Sequence, residues 1–319
     1  MGFGPRFADF DQDGIADMIS GSYTGGISFF KGQGEGKYAA AKKLLDKTGK
    51  PLSEEYAQTP CLADWDGDGD LDMAVGFISG PITFYRNDGK LSFAKVGNMT
   101  INGKEIQASD GGPCLVDWDQ DGVLDMLVGD GEGGLTFYKG KSKGSLDFAQ
   151  DENAEILPKM KPEVAWKAAP YDPKSPGGFK AARPGVRTKP YACDWNNDGK
   201  LDLLVGDYFA VSKPAKPLNA KQKKELADLK KRQKANEDVM MKASQTLQER
   251  ALKASGLKTY PNGQNKEEMD KFSKAFEKVM ASDKSYKFAM DKYMAISTKI
   301  AKLVPPPEST GAVWVYLRK

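Results

Sequence analysis

The chain has 319 residues, of which 39% are hydrophobic, with a formal net charge of +3 and a mean hydropathy of −0.56. These values are typical of a soluble globular protein, and no run of about 18 apolar residues occurs that could span a bilayer. The sequence contains no His, which excludes His-based catalytic triads, His-ligated zinc and imidazole acid–base chemistry.

An aspartate-rich loop occurs four times in the chain. The copies are residues 9–17, 64–72, 117–125 and 194–202, and their first aspartates are separated by 55, 53 and 77 residues. Self-similarity at such a period predicts an array of structural repeats.

The spacing of side-chain oxygens within each loop predicts a calcium site. Oxygen-bearing side chains stand at loop positions 1, 3, 5 and 9, a Gly at position 6 permits the sharp turn, and position 7 can add its main-chain carbonyl. No Cys or His lies in any loop, which disfavours metals that prefer nitrogen or sulfur. Acidic turns without a metal would also use Asp and Gly, but fourfold recurrence favours calcium. The predicted ligands are Asp9, Asp11, Asp13, Ile15 and Asp17; Asp64, Asp66, Asp68, Asp70 and Asp72; Asp117, Asp119, Asp121, Val123 and Asp125; and Asp194, Asn196, Asp198, Lys200 and Asp202.

Short apolar segments surround each loop and predict strands. One strand precedes the loop (residues 6–8, 61–63, 114–116 and 191–193) and one follows it (18–21, 73–76, 126–129 and 203–206). A third, alternating strand follows a Gly-rich turn (27–30, 82–85, 135–138 and 313–316), and a weaker fourth is expected near Tyr38, 91–93 and 146–148. Four antiparallel strands per repeat are typical of a propeller blade, so we predict an all-β propeller of four blades.

With its loops and strands, the chain resembles the FG-GAP/VCBS repeat proteins, whose propeller blades hold calcium in an Asp-x-Asp-x-Asp-Gly-x-x-Asp loop. The resemblance covers residues 1 to about 210 and 311–319, and it implies about four calcium ions. The fourth loop departs from the pattern at Asn196, which should weaken calcium binding there. The family includes adhesion receptors, surface proteins and domains appended to polysaccharide-active enzymes.

Each loop also carries an aromatic residue at position 2, namely Phe10, Trp65, Trp118 or Trp195. These rings could stack on a sugar. Packing between neighbouring repeats is favoured instead, because large aromatic side chains supply much of the contact area in such cores.

A Pro-rich irregular segment, residues 157–190, joins the third and fourth repeats. Long loops on rigid scaffolds commonly carry binding residues, and in a blade this connection should lie on the face opposite the calcium loops. Its aromatic and basic side chains are therefore candidate ligand-binding residues: Trp166, Tyr171, Lys180, Arg183 and Arg187.

Residues 213–310 interrupt the fourth repeat and predict a helical hairpin. The first helix should begin at Asn219 and end near Ser255, with Gly256 as its cap. The second should begin at Asn265 and stop before Pro305, with an apolar seam typical of a coiled coil. The predicted domains are residues 1–212 with blades one to three and half of blade four, 213–310 as an inserted hairpin, and 311–319 as the closing strand.

The inserted hairpin is basic, since residues 213–304 hold 22 Lys and Arg against 11 Asp and Glu. Nucleic acid or an anionic surface could bind such a segment. Because acidic residues are interspersed throughout and no compact Arg patch occurs, an ordinary solvated coiled coil is favoured and nucleic acid is not expected as a partner.

The sequence favours a binding or scaffold module over an enzyme, with a protein or polysaccharide ligand. A carbohydrate-binding or lyase-like propeller is the alternative, using Lys, Arg or Tyr as the base. Extracellular calcium modules bind calcium at roughly 10⁻⁴ to 10⁻³ M, so we expect a secreted, periplasmic or cell-surface protein. The last repeat has no outer strand of its own, so self-association is expected through that exposed edge or through the helical hairpin.

Overall fold

The computed structural model describes residues 4–23, 26–53, 56–89, 91–149, 154–175, 179, 181–212, 217–261 and 265–319, with the side chains of Pro162, Glu163 and Lys266 left out. The chain forms two compact units. One consists of Met1–Val211 with Glu308–Lys319, and the other of Ser212–Pro307. The predicted start of the helical insertion at Lys213 lies outside the described residues. No described helix is both long and apolar enough to cross a membrane.

The first unit is built from antiparallel sheets that follow one another along the chain. The first sheet contains β1 (Arg6–Ala8), β2 (Asp17–Ser20), β3 (Ser28–Phe30) and β4 (Lys42–Lys43). The second contains β5 (Thr59–Ala63), β6 (Asp72–Gly76), β7 (Thr83–Asn87) and β8 (Phe93–Asn98), and is followed by the small strands β9 (Thr100–Ile101) and β10 (Lys104–Glu105). Each sheet is a meander whose neighbours in sequence are neighbours in space.

The third and fourth sheets repeat the arrangement of the first three strands. The third contains β11 (Pro113–Val116), β12 (Asp125–Gly129), β13 (Leu135–Tyr138) and, after β14 (Asp147–Phe148), the outer strand β15 (Glu155–Leu157). The helix α1 (Pro162–Ala165) and β16 (Ala169–Pro170) follow. In the fourth sheet the long strand β18 (Asp202–Ser212) pairs with β16, β17 (Val186–Cys193), β19 (Glu308–Thr310) and β20 (Val313–Tyr316).

The predicted fourth strand of the third repeat, near residues 146–148, is only partly right. Asp147–Phe148 forms β14, which pairs in parallel with β9 of the preceding repeat, and only Ala149 makes an antiparallel bridge to Lys139 beyond the third strand. The outer position of the third sheet is taken by β15. Two features hold β14 beside β9. Phe148 is fully buried in the core between the second and third sheets, and Asp147 accepts a 2.7 Å hydrogen bond from the Thr100 hydroxyl.

A hydrophobic cluster fills each of three seams between consecutive sheets. In these clusters, Phe10 packs with residues of the second sheet, Trp65 with residues of the third, and Trp118 with residues of the fourth. The aromatic residues at loop position 2 therefore pack between repeats in these three cases, as predicted, because each ring fills the gap between two sheets.

The fourth seam, between the fourth and first sheets, is open. No hydrophobic cluster joins these sheets in the part of the chain that the structure describes. Trp195, which occupies the same loop position as Trp65, is 59% exposed, whereas Trp65 is 3% exposed. Phe7 on the first sheet is 57% exposed. Across this seam, the Arg6 guanidinium lies 5.8 Å from the centre of the Tyr191 ring.

Glycines four residues after the ninth aspartate of each loop show the same difference. A Cβ atom on Gly76 would lie 3.0 Å from Pro113 Cδ. A Cβ atom on Gly21 would lie 2.0 Å from the Gln58 carbonyl oxygen, and one on Gly129 would lie 2.0 Å from that of Thr188. Each clash is with the next repeat along the chain. On Gly206, in the fourth repeat, a Cβ atom would meet nothing closer than 3.8 Å.

The second unit is helical and contains α2 (Ala220–Ser255), α3 (Lys266–Ser282) and α4 (Lys284–Leu303). The first predicted helix is confirmed. Asn219 caps it in a reciprocal hydrogen-bonded pair with Gln222, and Gly256 ends it in the left-handed conformation with φ 75°. Asn236 is buried on α2, and its amide donates a 2.8 Å hydrogen bond to the Ala289 carbonyl oxygen of α4.

The second predicted helix is wrong in one respect, because the chain breaks it in two at Asp283. Asp283 is extended, with φ −87° and ψ 104°, and its carboxylate accepts from the backbone N–H groups of Ser285 and Tyr286. It also pairs with Arg250 of α2. Short acidic side chains compete with the helix for backbone hydrogen bonds and favour caps, so Asp283 starts a new helix where the seam periodicity predicted continuation.

The glycine contacts predict a matched pair of stability effects. Gly129→Ala should lower the free energy of unfolding by about 1–3 kcal/mol, because overpacking against a neighbouring backbone forces local shifts. Gly206→Ala should change it by less than about 0.5 kcal/mol, as for substitutions that meet no neighbour. Urea unfolding of both variants measures this difference, and equal losses would show that the third seam is not tightly packed.

Candidate functional site

Each aspartate loop is closed by hydrogen bonds from its own backbone. In the first loop, the Asp9 carboxylate accepts from the N–H groups of Asp13 at 3.1 Å and Gly14 at 2.8 Å. The Asp13 carboxylate accepts from the N–H of Ile15 at 2.9 Å. The Gly at position 6 has a positive φ in every loop (Gly14 84°, Gly69 93°, Gly122 85° and Gly199 85°), which explains the choice of glycine.

The ninth aspartate of each loop holds the loop to the third strand of its sheet. Asp17 is fully buried. One of its oxygens accepts from the Phe10 N–H at 3.1 Å and the other from the Gly32 N–H at 2.7 Å, just beyond β3. The equivalent donors are Trp65 and Asn87 for Asp72, Trp118 and Gly140 for Asp125, and Trp195 and Arg318 for Asp202.

Burial and neighbouring carboxylates perturb two of these aspartates. Burial, together with the charges of Asp66 and Asp68, raises the pKa of Asp72 to about 6. Burial likewise raises the pKa of Asp125. A raised pKa means that the ionised carboxylate is disfavoured in the folded chain. A cation among the loop carboxylates would remove that repulsion.

The carboxylates of three loops converge on a space that fits calcium. In each cluster, one oxygen per residue lies within 4.8 Å of the others: Asp9, Asp11 and Asp13; Asp64, Asp66 and Asp68; and Asp117, Asp119 and Asp125. Calcium–oxygen distances of about 2.3–2.6 Å place two ligand oxygens no more than about 5 Å apart. The donor set is hard oxygen alone, which also suits calcium.

A lysine side chain reaches the carboxylates of the first and third loops. The Lys31 ammonium contacts Asp11 and lies 2.6 Å from the Asp13 carboxylate. The Lys139 ammonium contacts Asp119 and lies 2.8 Å from that of Asp121. The hydrogen bonds from these lysines lower the pKa values of Asp13 and Asp121. In these two loops, a tethered ammonium group thus neutralises carboxylates that were predicted to bind the metal.

No lysine is ion-paired with the carboxylates of the second loop among the described residues, although the Lys143 ammonium lies against Gly67 of that loop. Arg86 occupies the position equivalent to Lys31 and Lys139, but its Nε lies 2.8 Å from Asp88, outside the loop. The second loop therefore keeps three carboxylates without an ion-paired cation among the described residues. In the fourth loop the Asn196 amide donates a 3.0 Å hydrogen bond to Asp198. The Asn196 amide is neutral, so the oxygen that it offers to calcium lacks the negative charge of the equivalent carboxylates in the other loops.

The candidate ligand-binding residues of the Pro-rich segment are only partly brought together. Arg187 lies between two rings, 5.2 Å from the centre of Trp166 and 5.4 Å from that of Tyr208. Arg183 instead donates to the carbonyl oxygens of Gly133 and Pro158, both at 2.6 Å, and braces the backbone. Tyr171 bridges to Phe179, and Lys180 lies outside the described residues.

A pocket of about 520 Å³ lies where the first strands of several repeats begin, and Arg187 is among its lining residues. Arg6 and Lys189 also line it, as do Tyr23 and Tyr208. Sequence reasoning missed these residues. Arg6 stands three residues before its loop, where the other repeats have Cys61, Cys114 and Tyr191. A charged residue at an otherwise uncharged repeat position was the available signal.

Comparison with known proteins identifies one family of repeats in the chain. No curated protein matches the chain. The model of the FG-GAP-like repeat matches residues 9–75 and again residues 64–128. These two ranges begin at the first and second aspartate loops and end in the strand after the next loop, so the matched repeat coincides with the structural one. Residues 9–128 thus match the FG-GAP-like repeat family, as the aspartate loops indicated.

Proposed function

We propose that the repeat-bearing unit is a calcium-stabilised, four-bladed propeller that serves as an extracellular binding or scaffold module. The observation that carries this proposal is the loop network, in which the N–H of the glycine at position 6 donates to the first aspartate in all four repeats. FG-GAP-like repeats are typical of extracellular proteins, which supports export. The helical unit is proposed to be a basic coiled-coil arm, because α2 packs against both α3 and α4.

Calcium would be held by the oxygens at positions 1, 3 and 5 of each loop, with the carbonyl at position 7. Bound there, it supplies two positive charges that offset the repulsion between carboxylates. The ninth aspartate contributes chiefly by joining the loop to the third strand, since both of its oxygens already accept backbone N–H groups. It can still reach the ion through a remaining lone pair.

The second candidate is a carbohydrate-binding or lyase-like propeller, and the pocket beside Arg187 favours it. Its lining of cations and tyrosines suits a polar organic ligand better than a protein surface. Incubation of the protein with acidic and neutral polysaccharides separates the two candidates. Turnover would establish a lyase-like enzyme, and binding without turnover would establish a carbohydrate-binding propeller. Neither binding nor turnover would favour a module that binds protein.

Calcium content is the direct measure of the proposal. We expect close to four ions per chain by elemental analysis, and a lower melting temperature in chelator, because a ligand that binds only the folded state stabilises it. Asp64→Ala should remove about one ion, since it deletes a ligand carboxylate of the second loop together with the acceptor that closes the loop. Asp270→Ala in the helical unit is the control and should remove none. A content of zero or one ion in the unaltered protein would contradict the proposal.

The tethered lysines predict unequal calcium affinities. Lys139→Met should raise the affinity of the third loop roughly two- to tenfold, because calcium no longer competes with an ammonium group for the same carboxylates. Lys141→Met is the matched control, since Lys141 pairs with Asp147 outside the loops. Calorimetric titration with calcium measures both. An unchanged or weaker affinity in Lys139→Met would show that Lys139 does not occupy the ion's place.

We also propose self-association through the exposed edge of the fourth sheet, with the helical unit as the competing contact. On β20, Val313 is 65% exposed and Val315 is 41% exposed, and an apolar edge strand invites pairing with another chain. Val313→Lys should lower the molar mass found by light scattering toward that of one chain. Val96→Lys on the second sheet is the control. An unchanged mass in Val313→Lys would exclude this edge.

A further inference from the structure

The pocket beside Arg187 lies at the end of the sheets away from the aspartate loops. It is lined by residues that begin the first strands of their repeats, such as Arg6 and Thr59, and by residues in the middle of β18, such as Asp207. The loops follow the opposite ends of the inner strands. No loop carboxylate lines the pocket, so calcium and any pocket ligand would occupy separate sites.

Two guanidinium groups line the pocket with their terminal nitrogens unused. Arg6 donates through Nε to the Pro60 carbonyl oxygen at 3.0 Å, and Arg187 Nε lies 2.6 Å from the Asp110 carboxylate. Within the described residues, neither arginine has a hydrogen-bond acceptor recorded for its two Nη atoms. The aromatic contacts of both groups fix their planes. Planar, oriented guanidinium groups match the two oxygens of a carboxylate.

The Asp207 carboxylate of the pocket is already committed to the protein. It accepts from the N–H groups of Gly185 at 2.8 Å and Ala312 at 2.7 Å, and from the Trp314 indole at 2.6 Å. The Asp110 carboxylate pairs with Arg187. These two acids cannot balance the three cations that line the pocket.

Lys189 lies partly buried near the two arginines. Its ammonium donates to the Asp110 carbonyl oxygen at 3.1 Å and also to that of Gly111. Burial, together with the charges of Arg187 and Arg6, lowers the pKa of Lys189 to about 8, against the opposing effect of Asp110. An anion in the pocket would relieve this repulsion, because opposite charges at close range favour the charged form of a lysine.

We propose that this pocket binds a small organic ligand through a carboxylate, which Arg6 and Arg187 hold by their free Nη groups. The inference deepens the proposed function by naming the ligand class of the binding module. The rings of Tyr23 and Tyr208 supply faces for the organic part of the ligand, and a volume of about 520 Å³ lies within the usual range of ligand pockets, about 300–1,000 Å³.

The carboxylate is tested with two sugars that differ at one group. D-Galacturonate carries a carboxylate where D-galactose carries a hydroxymethyl group. Titration calorimetry on the full chain should show at least about tenfold tighter binding of galacturonate, since an oriented charge-assisted contact contributes that much or more. Inorganic phosphate, titrated separately, should bind more weakly than galacturonate because it offers nothing to the tyrosines.

Variants assign the contact to the two arginines. Arg6→Met and Arg187→Met each remove a guanidinium and keep an apolar stem, and each should weaken galacturonate binding about tenfold or more. Arg86→Met, which removes an arginine paired with Asp88, should leave it unchanged. Arg187→Lys keeps the charge without the planar fork and should give an intermediate affinity. Unfolding curves and calcium content are measured on the same samples, which separates loss of the pocket from loss of the calcium-stabilised fold.

Three results would overturn the proposal. They are equal binding of galactose and galacturonate, unchanged galacturonate binding in both methionine variants, and phosphate binding as tight as galacturonate, which would indicate a site for inorganic oxyanions. Absence of calcium with intact galacturonate binding would instead reject the calcium proposal and keep this one.

Discussion

The buried ninth aspartate is the interaction on which the repeat depends. Its two oxygens accept one N–H from the start of the loop and one from the residue beyond the third strand. A single carboxylate thereby fixes the register between the inner strand, the loop and the third strand. Because hydrogen bonds to a charged acceptor are stronger than those between neutral groups, this bridge can hold the loop in shape before any ion arrives. The four sheets repeat because this bridge repeats.

The sequence allowed the loops and inner strands to be predicted because their residues obey local rules. Asp and Gly at fixed spacing specify the loop, and the apolar segments beside it specify strands. The outer strand of the third repeat was misplaced because Phe148 and Asp147 satisfy partners in the preceding repeat, a choice set by packing across the seam. The break at Asp283 escaped a periodicity argument, since the seam continues through it while the backbone does not.

The candidate site, like the fold, was predictable from the sequence only in part. Loop spacing identified the converging carboxylates, but it carried no information about Lys31 or Lys139, each of which directly follows the third strand of the same sheet. Likewise, Arg187 was among the candidate residues, but Arg6 and Lys189 were not. These two residues lie near Arg187 because the first strands of several repeats begin beside the same pocket. Contacts between distant segments depend on how the sheets are arranged, which a reading of each repeat alone does not give.

The lysines in the first and third loops have a consequence for how the protein would respond to changing calcium. A loop with an internal ammonium group is already partly neutralised, so it loses little when the ion leaves. Among the described residues, no ammonium group is ion-paired with the carboxylates of the second loop, so calcium would meet the least competition there. As the calcium concentration falls, the first and third loops would release their ions before the second loop does. The protein would lose its rigidity in stages rather than all at once, over a range of calcium concentrations.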